Sequence, residues 1–136
     1  MDLHERLASV PLTASLDQRI RKRLATVGRV RPYAADATIV EEGTTGTALY
    51  IVLSGSARVV RNGETLGEVR PGDFFGELAL IEEHPRSASV IAVEDTECLL
   101  FPAWEFLALL AEHPEIAVPI MRALIARMHL RERHEA

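Results

Sequence analysis

Chemistry concentrates in one stretch, "FGELALIEEHPRSASV", residues 75–90. Gly76 lets a backbone approach a ligand closely and tolerates unusual φ/ψ. The "GELAL" segment can form a short helical turn whose first N–H groups lack internal partners. With the dipole of the turn, those groups make an anion site. Arg86 follows at the start of a strand-like run, and its planar fork matches phosphate oxygens. Ser87 adds a hydroxyl and a backbone N–H beside it. Glu77 at the centre of such a site repels an anion. From residue types alone, two readings stand: a ligand site, or a carboxylate that satisfies the turn and pairs with Arg86.

Strands and turns must carry these residues. The segments "ATIVEEG", "ALYIVLSG", "SARVVRNGETLGEV", "RSASVIAV" and "TECLLF" are short and rich in Val, Ile and Leu. Asn62-Gly63 separates two such runs and is a strong hairpin signal, because both residues tolerate positive φ. "EEGTTG", "LSG" and "RPGD" are further turns. Short strands at this spacing predict a small barrel or jelly roll over 27–101. Helices flank it. "SLDQRIRKRLATV" repeats Leu16, Ile20 and Leu24 along one stripe, and its Arg19, Arg21, Lys22 and Arg23 read as a solvated face. N-terminal helices therefore occupy 1–26. C-terminal helices occupy 102–134, starting at "PAWEFLALLAEH" with a proline in the first turn. Pro119 should kink or restart the last helix. Beyond it, Ile120, Met121, Leu124, Ile125 and Met128 share a face with Arg131. Trp104 reads as a packing residue.

The bulk numbers fit one domain spanning residues 1–136. Of 136 residues, 48% are apolar and 26% charged, which is ordinary for a soluble globular chain. A net charge of −5 argues against a general nucleic-acid binder. Cys98 is the single cysteine and lies in an apolar run, so it reads as a buried strand thiol. "MDLHERLASV" has no signal-peptide core, and no apolar run approaches the roughly 18 residues of a membrane span. A cytoplasmic protein is expected.

Order and spacing in 75–90 closely resemble the phosphate-binding cassette of the cyclic nucleotide-binding domain family. That family includes the catabolite activator protein, regulatory subunits of cyclic-AMP-dependent protein kinase, and cyclic-nucleotide-gated channels. Phe75, Gly76, Glu77, Leu78, Ala79 and Leu80 match its first half; Pro85, Arg86, Ser87 and Ala88 match its second. "VEEGTTGTALYIVLSGSARVV" and "GEVRPGDFFGE" resemble the strands before the cassette, and "FPAWEFLALLAEHPEIA" its B and C helices. The resemblance implies a mainly β fold with flanking helices, a cupin-like jelly-roll barrel. It implies that Glu77 accepts from a ribose 2′-OH and that Arg86 pairs with the cyclic phosphate. Gly76, Leu78 and Ala79 would present backbone groups to the ligand. Ser87, with Ala88 beside it, would touch phosphate or base.

By the same resemblance the ligand is cyclic AMP, favoured over cyclic GMP. Serine after the arginine leaves that choice open, although the catabolite activator protein combines it with cyclic AMP. Arg127, His129 and Arg131 are candidate lid residues over the base, Arg131 foremost because it shares the apolar face. The expected mechanism is a sensor whose final helices close over the pocket. No direct DNA binding is expected, since too little chain follows the last helix for a helix-turn-helix. A homodimer through that helix is an option, and the downstream effector protein is unknown. No further cofactor is expected. Catalysis of the cupin type needs a close His-x-His with a glutamate, and His4, His84, His113, His129 and His134 are scattered. Haem and iron–sulfur sensing are disfavoured by the single cysteine. The alternative is a protein-interaction module of the same fold that has lost its ligand.

Overall fold

The computed structural model describes the backbone of residues 2–77 and 85–135 and the side chains through 129. The described residues form eight strands: β1 (Arg29–Tyr33), β2 (Thr38–Val40), β3 (Ala48–Ser54), β4 (Ala57–Arg61), β5 (Glu64–Val69), β6 (Phe74–Phe75), β7 (Ser89–Ala92) and β8 (Thr96–Pro102). They form two antiparallel sheets of order β1-β8-β3-β6 and β2-β7-β4-β5. This interleaving of early and late strands across two facing sheets is the jelly roll. The expected mainly β class with flanking helices therefore holds. Among the described residues the two sheets remain separate hydrogen-bonded ladders.

The sequence explains the two layers. β3 reads "ALYIVLS" without polar alternation because both of its faces are covered. Leu49, Ile51 and Leu53 face a core shared with the helices, as do Leu99 and Phe101 of β8. Tyr50 and Val52 face the opposite sheet, with Cys98, Val90 and Ala92. The Asn62-Gly63 hairpin joins β4 to β5 with φ of 51° and 78°, as expected of a two-residue turn.

Helices α1 (Leu3–Ala8), α2 (Gln18–Val27), α3 (Ala103–Glu112) and α4 (Ala117–Glu135) complete the fold. Asp17 caps α2, its carboxylate accepting from the N–H groups of Arg19 (2.8 Å) and Ile20 (3.2 Å). Leu16 thus lies just before the helix, although it joins Ile20 and Leu24 in the core. Pro119 falls in the first turn of α4, where its missing N–H costs nothing, so the helix restarts there. The apolar stripe of α4 divides. Ile120, Ala123 and Leu124 pack on the helical core, whereas Met121, Ile125 and Met128 are exposed.

Candidate functional site

Gly76 ends β6 at φ +83°, a conformation that L side chains rarely adopt. A Cβ there would stand 2.6 Å from the Ala48 carbonyl oxygen and 2.7 Å from Arg86 Nη1. A Cβ on Gly46 would fall within the Arg86 guanidinium itself. The guanidinium therefore lies in a slot between two glycines. Its Nη2 donates to the Ala48 carbonyl at 3.1 Å, and its Cζ is 5.8 Å from the centroid of the Tyr50 ring. Phe75 stacks on the other part of this wall, 4.8 Å from Tyr50 and nearly parallel.

The backbone of Arg86 is set with equal care. Its N–H donates to the Thr44 carbonyl at 2.7 Å, and its carbonyl accepts from the Gly43 N–H at 2.8 Å. Thr45 pairs with Pro85 in an isolated bridge. The glycine-rich turn "EEGTTG" is thus the clasp that holds Arg86 against β3. Ser87 is exposed, and its carbonyl accepts from Arg61 Nε at 2.9 Å. Ala88 is half-buried beside it.

Glu77 follows Gly76 directly, so its carboxylate is placed by the same turn that flanks Arg86. It does not pair with Arg86. Its ion pair is with Arg127 of α4, Nη1 to Oε1 at 3.3 Å. Arg127 also donates from Nη2 to the Phe74 carbonyl, and its Cζ lies 4.3 Å from the Phe74 ring centroid. Among the described residues Arg86 makes no ion pair with a carboxylate.

The structure thus brings together Gly76, Glu77, Arg86 and the segment 43–48. Leu78 and Ala79 lie outside the described residues, and so does the side chain of Arg131. The contact from the last helix comes from Arg127. Arg127 is one of the three lid candidates of the sequence, behind Arg131 on the shared apolar face. The spacing held the signal: Arg127 is three and seven residues beyond Leu124 and Ile120, which face the core.

Two further expectations resolve outside the site. Cys98 is fully buried, and burial pushes its thiol pKa up to about 12, so it is an inert strand thiol. Trp104, expected to pack, is 72% exposed. Phe106 and Leu109 take the buried face of α3 instead.

The model of the cyclic nucleotide-binding domain family matches residues 30–113. The chain is similar to a cAMP-dependent protein kinase regulatory subunit of Aspergillus fumigatus, 43% identical over 67% of this chain and 22% of that protein. It is also similar to the cyclic AMP receptor protein of Thermus thermophilus, 42% identical over 75% of this chain and 49% of that one. The chain therefore spans half or less of the length of these relatives. Among solved structures, the Thermus thermophilus catabolite activator protein superposes with a TM-score of 0.80 and 34% identity, covering 91% of this chain and 61% of that one. A jelly roll, a glycine-flanked arginine beside a glutamate, and these matches agree: the chain belongs to the cyclic nucleotide-binding domain family.

Proposed function

We propose that this chain is a regulatory module that binds cyclic AMP in preference to cyclic GMP and answers by moving α4. The observation that carries the reading is the Arg86 slot. A guanidinium anchored on the barrel and flanked, among the described residues, by backbone suits a phosphate. Glu77 beside it suits the 2′-OH of a ribose. Gly76, Leu78, Ala79, Ser87 and Ala88 contribute backbone and small contacts around the ring, and Arg131 is a lid candidate on the same helix as Arg127. Cyclic AMP is favoured because the similar proteins are named for it.

The Glu77–Arg127 pair supports the movement of α4. A nucleotide that takes the Glu77 carboxylate competes with Arg127, and such a difference in affinity between two helix positions shifts their populations. The module has no catalytic role in this reading and acts in the cytoplasm on an effector protein. Among the described residues no helix is long and apolar enough to cross a membrane. Neither a prosthetic group nor direct contact with DNA is needed. Val118, Met121, Ile125 and Met128 are exposed at alternating spacings of three and four residues, which suits a seam between two α4 helices in a homodimer.

Thermal melts with cyclic AMP and cyclic GMP side by side test the reading. A ligand present at 100 times its Kd raises stability by about 2.7 kcal/mol. Cyclic AMP should raise the melting midpoint at lower concentration than cyclic GMP. No shift with either nucleotide sinks the proposal.

A further inference from the structure

The β4–β5 hairpin is fastened to both flanks of Arg86. On one side, Arg61 Nε donates to the carbonyl of Ser87, the residue after Arg86, at 2.9 Å. On the other, the Asn62 N–H donates to the Glu42 carboxylate at 3.0 Å. Glu42 precedes Gly43, whose N–H holds the Arg86 carbonyl. The tip of the hairpin is therefore placed by the same two segments that place the guanidinium.

Strand register says which face its side chains take. Ala57, Val69, Val90 and Ala92 lie in the core between the sheets, and Val59 packs against it. Side chains alternate along a strand, so Arg61 continues the inward row of Ala57 and Val59. The pairs Val59↔Gly67 and Val60↔Thr65 leave Leu66 as an extra residue of β5, so this irregularity does not disturb β4. Arg61 and Glu64 stand opposite one another across the two-residue turn and share that face. Both are exposed, at the rim where the inward row leaves the barrel. Among the described residues neither makes an ion pair, even with the other. Ser87 occupies Nε of Arg61 and leaves its terminal N–H groups as donors, and Glu64 brings an acceptor beside them.

A donor and an acceptor side by side match one edge of one purine. Adenine presents N7 as an acceptor next to its N6 amino donor, whereas guanine presents two acceptors, N7 and O6. On the cyclic-nucleotide reading above, on which this inference rests, Arg86 takes the phosphate and Glu77 the sugar. The base is left for a third contact. We propose that Arg61 and Glu64 make it: a terminal N–H of Arg61 donates to adenine N7, and the Glu64 carboxylate accepts from the N6 amino group. The pair carries no net charge, which suits a neutral base. Guanine in the same pose turns O6 toward the carboxylate, where two acceptors meet with no proton between them. The choice of base, which Ser87 leaves open, is thus made on the hairpin.

Calorimetric titrations of the full chain test this with cyclic AMP, cyclic GMP and 7-deaza cyclic AMP, in which a C–H replaces N7. The unaltered chain should bind the 7-deaza form about 2- to 12-fold more weakly than cyclic AMP, the loss of one hydrogen bond. This comparison needs no variant, so folding does not enter it. Arg61→Ala should weaken cyclic AMP by a similar factor and bring the two forms level. Glu64→Gln supplies an amide N–H that can donate to O6. It should shrink the preference for cyclic AMP over cyclic GMP by about fivefold or more. A chain that binds cyclic AMP and the 7-deaza form equally, and keeps its preference in Glu64→Gln, overturns the roles of Arg61 and Glu64 while the reading of Arg86 stands. A chain that binds neither cyclic AMP nor cyclic GMP removes that reading, and this inference with it.

Discussion

Arg86 and Glu77 flank the same glycine, yet different parts of the molecule hold them. Among the described residues Arg86 is held by the barrel: the Ala48 carbonyl, the Tyr50 ring, the backbone of Thr44 and Gly43, and two glycines that leave it room. Glu77 is held by a helix, through one ion pair to Arg127. The contrast separates a preformed half of the site from a conditional half. On the proposed reading Arg86 is the phosphate half, present wherever the jelly roll is folded. On the same reading Glu77 is the sugar half; its ion pair depends on where α4 lies, and that dependence would give ligand binding a route to the C-terminal helix.

The contrast is broken most severely at Arg86. Arg86→Ala should cost about 2–5 kcal/mol of cyclic AMP binding, as loss of one partner of a buried charged pair does. Calorimetry should read this as a loss of about 30- to several-thousand-fold in affinity. Gly76→Ala comes next. It forces a left-handed backbone on a residue with a Cβ and sets that Cβ against Ala48, which should cost about 1–3 kcal/mol of stability in denaturant unfolding. Arg127→Ala is milder for the fold, about 1 kcal/mol, since its pair with Glu77 is partly exposed. Its signature is functional. Hydrogen exchange in α4 should stop responding to cyclic AMP while binding persists. Exchange that responds as before refutes the division into two halves.

The smallest effect belongs to a region outside both halves. Hydrogen bonds from Arg6 and Ser54 hold the Glu97 carboxyl below its usual range. A carboxylate with a depressed folded-state pKa adds stability above its unfolded pKa and loses it as pH falls through the folded value. Arg6→Ala should therefore flatten the acid side of the melting profile slightly and leave nucleotide affinity unchanged. A change in affinity would tie this distant pair to the site.

Much of the candidate site could be read from the chain because its parts are local. Gly76, Glu77 and Arg86 lie within one short segment, and a glycine before a charged turn has few other uses. The hairpin at Asn62-Gly63 was legible for the same reason. What the sequence hid was set by packing over long range. The clasp between Thr44 and Arg86 joins segments that no periodicity links. The helical wheel of α4 marked one wide apolar face, with Arg131 on it. Only contact with α3 and the barrel decides that Ile120 and Leu124 turn inward, which aims Arg127 at Glu77. Trp104 departs from the expected packing because α3 is apolar on two sides, and pattern alone does not say which side meets the core.

The most direct test compares cyclic AMP with its 2′-deoxy form in calorimetric titrations of the unaltered chain. A phosphate half and a sugar half acting together predict saturable binding of cyclic AMP. They predict weaker binding of the deoxy form by about 5- to 150-fold, the cost of about 1–3 kcal/mol for leaving the Glu77 acceptor unpaired. Equal affinity for the two nucleotides, or no binding of cyclic AMP, contradicts the account.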